Sequence, residues 1–316
     1  MNNAPTTEDR IWAVLSHLSA LTLGTGIVLS IIGWSDQRRK SNYASFQCLQ
    51  ALGYQSLGYT IWVLFSALVG IVLVIMMLTA LGAAERNGGD TSVLVGIWMA
   101  ILGMSIFGLL GIYFLFPIIA AVSCAFGKDF RYPIMGDRLA NYLAYDSMEK
   151  SDDQGWINEA HEFPWVAAMG HFSILIILWG MSAPLTVWIL YGKRTPFLEF
   201  QSIQTLVYQA CVTALYLGTV FLYLFGIMII SLMATMGWTG NVRFDSPMGI
   251  VGIIFFGGSL LVLFVVMLFV PLLHILGQWA GYRVLKGDDY RYPLIGALVE
   301  KWVSTQRSAD MEENPK

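Results

Sequence analysis

Residues 51–84 read ALGYQSLGYTIWVLFSALVGIVLVIMMLTALGAA, a run of 34 residues without one Asp, Glu, Lys or Arg. An α-helix needs about 20 apolar residues to cross the hydrocarbon core of a bilayer, where every backbone polar group must be satisfied within the helix. This run therefore predicts a transmembrane helix that tilts or extends beyond the lipid.

The same pattern extends over the whole chain. Apolar residues make up 56% of the 316 residues and charged residues only 12%, whereas a soluble domain carries about 25% charged residues. The charge-free runs lie at 11–34, 51–84, 92–127, 163–191, 202–238 and 247–282. We therefore predict an all-α integral membrane protein in contact with a lipid bilayer, which excludes a secreted domain or a cytosolic enzyme. The net charge of −3 argues against nucleic acid as a partner.

The two halves of the chain are copies of one another. Setting residue n against n+154 aligns 11–56 with 165–210, and 12 of these 46 positions are identical. Further along, the offset becomes 160, where GKDFRYP at 127–133 meets GDDYRYP at 287–293. This predicts a tandem duplication. The predicted segments are a polar tail at 1–10, repeat 1 at 11–148, an acidic linker at 149–162, repeat 2 at 163–306 and a polar tail at 307–316.

The distribution of basic residues bears on how the copies cross the membrane. Three crossings per copy would invert the second copy and place 8 of the 18 Lys and Arg on one side and 10 on the other. If the first run of each copy instead enters and leaves on one side, only Arg86 and Arg243 lie opposite the other 16. Such a bias is typical of cytoplasmic loops. Gly24-Thr-Gly26 and Gly180-Met-Ser-Ala-Pro184 supply the breaks that this requires.

We therefore predict that each repeat is a broken or re-entrant helix hairpin followed by two long transmembrane helices and a cytoplasmic interfacial helix. Both termini would lie in the cytoplasm, and the membrane would be the bacterial cytoplasmic membrane. The inverted arrangement remains the alternative, because the 24 residues of 11–34 could also span the bilayer.

A polar helix stripe occurs once in each repeat, where a long helix enters the membrane. Its residues are Gln47, Gln50, Tyr54 and Gln55 in repeat 1, and Gln201, Gln204, Tyr208 and Gln209 in repeat 2. Spacings of three and four residues place Gln47, Gln50 and Tyr54 on one helix face. One interpretation is interhelical hydrogen bonding that fixes the hairpin to this helix. The alternative is a polar lining for a substrate or a partner.

A second repeated motif follows the last apolar run of each copy. It consists of Asp129, Arg131, Tyr132 and Pro133 in repeat 1, and of Asp289, Arg291, Tyr292 and Pro293 in repeat 2. We expect the tyrosines at the lipid headgroup level and the arginines on lipid phosphates or on the neighbouring Asp. The prolines would sit in the first turn of an amphipathic interfacial helix. Its role would be anchoring or, alternatively, docking of a partner.

His17, His171 and His274 are the ionisable residues of His, Asp, Glu, Lys or Arg type inside the runs. An ionisable residue inside a membrane indicates a functional site by default. Two of these histidines could hold a haem, but a neutral imidazole that hydrogen-bonds near the interface is the simpler interpretation. We otherwise predict no cofactor and no metal, since Cys48, Cys124 and Cys211 lack metal-ligand spacing. No protease motif or phosphate-binding loop is present, so we predict no catalytic residue.

Several of these motifs together resemble a known group. The order His17-Leu-Ser-Ala-Leu, Phe46-Gln-x-x-Gln-Ala-Leu-x-Tyr-Gln, Phe116-Pro-Ile-Ile-Ala-Ala and Arg131-Tyr-Pro is similar to a bacterial membrane family of unknown function. That family is grouped with the twenty-kilodalton Tic-type component of the chloroplast import translocon. The resemblance covers 10–135 and, less closely, 163–295, where Thr205 replaces Ala51. It implies a helical membrane module and brings no catalytic residues.

These patterns favour a non-enzymatic membrane protein, an accessory or scaffolding subunit that packs against other membrane subunits or against copies of itself. Two alternatives remain open. One is transport or binding of a hydrophobic solute, a lipid or a quinone, between the repeats at the Gln and His positions. The other is a haem-binding redox subunit.

Overall fold

The fold is given by a computed structural model that describes residues 4–88, 91–145, 157–176, 178–192, 194–238 and 246–313. Of these, 237–238 and 307–313 are described by their backbone alone. The described residues form helices and turns, with no strand among them. The chain is thus an all-α membrane protein built from two repeats.

The first apolar run of repeat 1 forms two short helices. Helix α1 spans Thr7–Leu18 and helix α2 spans Ile27–Gln37, and their 12 and 11 residues give lengths of about 18 and 16 Å. Neither helix reaches across the roughly 30 Å of a hydrocarbon core. The turn between them needs Gly24, whose φ is +103° and where a Cβ would lie 2.2 Å from Ile176 Cγ2. The predicted break in this run is confirmed.

Repeat 2 also begins with a hairpin of two short helices. Its hairpin consists of α7 (Glu159–Phe172) and α8 (Ser182–Tyr191), with Pro184 in the first turn of α8. Helix α7 begins inside the segment predicted as the acidic linker, and the boundary of that linker stays a prediction. Of the remaining linker residues, 157–158 are described, and 149–156 lie outside the described residues.

Among the described residues, four long helices are apolar enough to cross a membrane. In repeat 1, α3 (Asn42–Gly53) runs through a π-helical turn (Tyr54–Gly58) into α4 (Tyr59–Arg86), and α5 spans Thr91–Ala125. In repeat 2, the corresponding helices are α9 (Pro196–Trp238) and α10 (Pro247–Leu285). Four spans are the number that the parallel arrangement requires, while the side on which the termini lie stays a prediction.

Each repeat closes with the turn that carries its Arg-Tyr-Pro sequence. Two residues after the ends of α5 and α10 lie Gly127 and Gly287, whose φ angles are +71° and +90°. Helix α6 (Met135–Tyr142) and helix α11 (Ile295–Glu313) follow. The prediction that Pro133 and Pro293 occupy the first helical turn is wrong. A tight turn intervenes, because Ile134 and Leu294 have φ angles of +67° and +66° that no helix accommodates.

The chain divides into two compact units, Met1–Ser202 with Gly281–Tyr290, and Ile203–Ala280 with Arg291–Lys316. The core of the first unit combines residues of both repeats, among them Trp34 and Leu49 from repeat 1 and Trp165 and Met169 from repeat 2. Trp165 Nε1 donates a hydrogen bond to the Leu49 carbonyl at 3.1 Å. The second unit holds most of α9 and α10 together with α11.

Candidate functional site

Repeat 1 gathers a buried polar cluster around Gln47 on α3. The Gln47 amide Nε2 donates to Asp129 Oδ1 at 2.8 Å and to the Phe130 carbonyl at 3.1 Å. Its Oε1 accepts from Gln50 Nε2 at 3.1 Å and lies 2.9 Å from His17 Nε2. We call His17, Gln47, Gln50, Asp129 and Tyr132 the Gln47 cluster. It unites the three motifs that the sequence presents separately.

The hydrogen bonds of Gln47 define the protonation of His17. Since Gln47 Nε2 faces a carboxylate and a carbonyl, Oε1 is the atom that faces His17 and can only accept. His17 Nε2 therefore carries the proton, and Nδ1 accepts from the Tyr132 hydroxyl at 3.0 Å. Burial lowers the pKa of His17 from 6.5 to about 4, and the hydrogen bond to Gln47 opposes this shift only in part. The imidazole is neutral at pH 7.

Gln50 and Tyr132 connect this cluster to the transmembrane helices. Gln50 Nε2 donates to the Phe130 carbonyl at 2.9 Å, and its Oε1 accepts from the Tyr132 backbone N–H at 2.8 Å. The Tyr132 ring stacks on Tyr54 at 4.2 Å, and the Tyr54 hydroxyl donates to the Tyr113 carbonyl at 2.6 Å. Tyr132 and Tyr292 are both buried within the protein. Their position at the headgroup level stays a prediction, while the Tyr132 hydroxyl pairs with His17 and the Tyr292 N–H with Gln204.

Repeat 2 reproduces these contacts. His171 Nε2 lies 3.1 Å from Gln201 Oε1, and Gln201 Nε2 donates to Asp289 Oδ1 at 2.8 Å and to the Tyr290 carbonyl. Burial lowers the pKa of His171 to about 4 as well, with the Gln201 hydrogen bond again opposing.

The second unit holds the remaining counterparts of the cluster. Gln204 Oε1 accepts from the Tyr292 N–H at 3.3 Å, and Tyr208 stacks on Tyr292 at 3.9 Å. The Tyr208 hydroxyl donates to the Leu273 carbonyl, as Tyr54 does to Tyr113. The pair Tyr113 and Leu273 already follows the offset of 160. The six extra residues of repeat 2 therefore precede Leu273.

The other stripe and motif residues have structural contacts. Gln55 Nε2 donates to Ser19 Oγ at 3.0 Å and to Ser30 Oγ at 2.9 Å, so it joins the α1–α2 hairpin to the long helix. Gln209, its counterpart, is buried. Arg131 pairs with Asp129 and Asp137, each at 3.2 Å. Arg291 pairs with Glu300. Pairing with the neighbouring Asp was one of the two roles predicted for these arginines, and Arg131 shows it with Asp129.

A second cluster, which the sequence did not reveal, joins the two repeats through Glu162. Trp34 Nε1 donates to Glu162 Oε1 at 2.6 Å, and Arg38 donates to Glu162 Oε2 through Nη2 at 2.7 Å. The Glu162 side chain is 1% exposed and that of Arg38 is 11% exposed. Burial alone would lower the pKa of Arg38, but the Glu162 carboxylate, together with Tyr191 and Glu159, outweighs it and raises the pKa. We call Trp34, Arg38 and Glu162 the inter-repeat cluster.

The sequence feature that corresponds to this cluster lies upstream of the aligned segments 11–56 and 165–210. At the offset of 154, Glu162 corresponds to Glu8, whose Oε1 accepts from Gln37 Nε2 at 3.0 Å. The similarity between the copies therefore extends upstream of residues 11 and 165.

An apolar cavity of about 740 Å³ adjoins the Gln47 cluster in repeat 1. Tyr54 and Tyr132 line it, Trp62 and Phe116 contribute from α4 and α5, and Arg138 of α6 is the charged residue among those that line it. The volume lies within the range of about 300–1,000 Å³ that is typical of small-molecule sites.

The third histidine lies apart from the polar clusters. His274 lies half-buried in α10, where its Nδ1 donates to the Val270 carbonyl one turn earlier at 2.8 Å. In the part of the chain that the structure describes, no group of three or more His, Cys, Asp or Glu could hold a metal ion.

Comparison with known proteins identifies the two copies. The sequence profile of the magnetosome magnetite crystal formation protein family matches twice, over residues 8–139 and 162–299. The chain belongs to this family. The double match establishes the internal repeat. Searches of curated proteins and of solved structures returned no match.

In this member of the family, the matched segments coincide with the polar clusters. The segment 8–139 contains the whole Gln47 cluster, and 162–299 contains His171, Gln201 and Tyr292. The second segment begins at Glu162, so the ion pair with Arg38 joins one matched segment to the other.

Proposed function

We propose that this protein is a non-enzymatic accessory subunit of a bacterial magnetosome membrane, where it supports magnetite crystal formation by organising other membrane components. The observation that carries the proposal is the family match over both repeats. The earlier resemblance to the Tic-type translocon component stays a prediction and adds nothing to it.

The packing of the two repeats supports an organising role. The hairpins of both repeats pack into one core within the first unit, where the inter-repeat cluster ties them together. By contrast, α4 and α5 leave large apolar side chains such as Leu64, Leu68 and Phe107 exposed along their length. In lipid, helices associate through close fit at small residues. A Cβ at Gly103 would meet no protein atom within 4 Å, so this face of α5 is open to another helix.

The polar clusters support a structural role for the repeated Gln and His residues. Every Gln47 and Gln50 amide atom contacts a group of repeat 1, and His17 uses both ring nitrogens in the same way. A solute passage at these positions would have to break those bonds. A haem would likewise have to displace Gln47 or Gln201 from the Nε2 atom of its histidine.

Complementation tests the proposed role. We expect the wild-type gene to restore crystal size in a magnetite-forming bacterium that lacks its own members of the family, as measured by electron microscopy. Cross-linking of native membranes followed by mass spectrometry should identify stoichiometric partners or a second copy of the chain. A solitary monomer in these membranes, combined with unchanged crystals, would contradict the proposal.

A double variant separates the alternatives. Under the structural interpretation, Gln50→Ala with Gln204→Ala should abolish accumulation of the folded protein in the membrane. Normal accumulation with loss of lipid or quinone transport would favour the solute passage. A Soret band in the absorbance of the purified protein would favour the haem alternative.

A further inference from the structure

The aromatic cavity of repeat 1 lies where the membrane spans meet the polar turns. Its residues on α4, such as Trp62 and Phe65, follow closely after the π-helical turn, and Phe116 comes from the last third of α5. The opposite wall is formed by the turn and helix that carry Ile134 and Arg138. The cavity therefore has an apolar end along two spans and a polar end at an interfacial helix.

The polar end carries one cation that forms no ion pair with another described residue. Arg138 is exposed and lines the cavity, and no carboxylate of the described residues pairs with it. The neighbouring Asp137 pairs with Arg131 instead. A guanidinium beside an apolar cavity complements a ligand that joins an anionic group to a hydrocarbon chain.

The apolar end is lined by the ring of Trp62. Its indole Nε1 is buried and has no hydrogen-bond acceptor in the described protein, so the cavity meets the apolar part of the ring.

The backbone around the cavity differs from that of repeat 2. Tyr54, Leu57 and Gly58 line the cavity from the π-helical turn, whereas α9 is described as an α-helix throughout the corresponding stretch. Such turns are frequent at functional sites, because the extra residue redirects the side chains of the helix.

The side chains that line the cavity also differ from their counterparts in repeat 2. At the offsets of the repeat, Arg138 corresponds to Leu298, Trp62 to Tyr216 and Tyr113 to Leu273. Repeat 2 thus lacks the cation and the ring of Tyr113, and it carries a tyrosine in place of Trp62. These features are present in one copy, whereas the Gln–Asp contacts of the polar cluster are present in both.

From these observations we propose that the cavity of repeat 1 binds one anionic phospholipid. The lipid phosphate pairs with Arg138, and an acyl chain lies against Trp62 and Phe116 between α4 and α5. This site is independent of the proposed accessory role, which does not require a bound lipid.

Native mass spectrometry of the detergent-solubilised full chain with added phosphatidylglycerol or phosphatidylcholine tests the proposal. The wild type should bind phosphatidylglycerol roughly fivefold more tightly, since one basic residue contributes about 1 kcal/mol to an anionic lipid contact. Arg138→Gln should reduce this preference to none, whereas Arg138→Lys should retain most of it. Leu109→Trp, which fills the cavity, should weaken the binding of both lipids.

Lys128→Gln is the matched control, because it removes an exposed cation that does not line the cavity. It should leave the lipid preference unchanged. Equal binding of both lipids by the wild type, or an unchanged preference in Arg138→Gln, would overturn the proposal. Thermal stabilisation by inorganic phosphate equal to that by phosphatidylglycerol would also overturn it, since the ligand would then be a free anion. None of these outcomes would affect the proposed accessory role.

Discussion

At the residue scale, the buried histidines couple the stability of the fold to pH. The pKa values of His17 and His171 fall from 6.5 in an unfolded chain to about 4 in the folded protein, mainly through burial. As the pH falls from about 6.5 to about 4, the unfolded chain takes up protons that the folded protein excludes. Stability is therefore full above pH 6.5, declines through this window and levels off below pH 4.

We expect each histidine to account for roughly 3 kcal/mol of the stability lost on acidification. The measurement is the Tm of the detergent-solubilised protein between neutral pH and about pH 4. Glutamine can donate to Gln47 and accept from Tyr132, so His17→Gln with His171→Gln should melt with a visibly shallower pH dependence. An identical decline in the double variant would assign the acid lability to carboxylates instead.

The inter-repeat cluster predicts different effects for two glutamates that contact the same arginine. Glu162→Gln keeps an oxygen for Trp34 Nε1 but leaves the buried Arg38 charge without its closest counter-charge. Removing one partner of a buried ion pair typically costs about 3–5 kcal/mol. Glu159, at 49% exposed, also contacts Arg38 at 2.9 Å. Exposed pairs contribute about 1 kcal/mol or less, so Glu159→Gln should lower the Tm much less.

Equal shifts in Tm for the two variants would show that Glu162 is not the residue that compensates Arg38. Since Glu162 and Arg38 belong to different repeats, a large shift for Glu162→Gln alone would place part of the free energy of unfolding in the contact between the copies.

At the element scale, periodicity and composition predict the positions of the helices. They do not predict which side chains are buried or how the turns between helices are formed. The four spans follow from long apolar runs, and the break at Gly24 from the glycines themselves. The burial of Tyr132 was not predictable, because Tyr is equally suited to a headgroup and to a buried hydroxyl with a partner. That partner, His17, lies 115 residues away in the sequence. Only tertiary structure brings the two together.

The tight turns after Pro133 and Pro293 escaped prediction for a different reason. In each, the N–H two residues after proline donates to the proline carbonyl, at 2.7 Å for Met135 and 2.8 Å for Ile295. A positive φ at Ile134 or Leu294 is unfavourable for a residue with a side chain, so propensity argues against it. The same conformation in both repeats exposes these side chains, by 73% and 84%.

The turn of repeat 1 predicts opposite effects for two neighbouring substitutions. Ile134→Gly should relieve strain of about 1–3 kcal/mol, less the roughly 0.5–1 kcal/mol that glycine loses on ordering, which leaves a small rise in Tm. Gly136→Ala should lower the Tm, because its Cβ would lie 2.6 Å from Gln50 Oε1 and from Arg131 Cβ. Overpacking of this kind costs about 1–3 kcal/mol.

Gly103→Ala is the control for these measurements, since a Cβ there meets no protein atom within 4 Å and α5 is helical around it. It should leave the Tm unchanged or raise it slightly, because alanine has the higher helix propensity. A loss of stability in Ile134→Gly that matches the loss in Gly136→Ala would show that the exposed isoleucine, rather than the glycine, maintains the turn.

At the scale of the whole molecule, the duplication was evident from identical polar positions, but the division of roles between the copies was not. Both repeats keep the His–Gln–Asp contacts, whereas only repeat 1 has the Arg138 and Trp62 cavity wall. Alignment of the two copies reveals that difference only once the structure shows which positions line the same cavity. The inter-repeat cluster could not be predicted from the sequence either. Glu162 lies in a segment rich in acidic residues, whose composition is the same as that of a solvated linker.

Membrane topology is the remaining prediction at this scale. The parallel arrangement places the loops after both hairpins on the cytoplasmic side and the α4–α5 loop on the opposite side, in agreement with the positive-inside rule. In a variant without native cysteines, Lys40→Cys and Arg194→Cys should therefore react with a membrane-impermeant maleimide from the cytoplasmic face. Arg86→Cys should react from the other face. If Lys40→Cys and Arg194→Cys reacted from opposite faces, each first run would cross the membrane, contrary to the short α1 and α2 helices, and the inverted arrangement would hold.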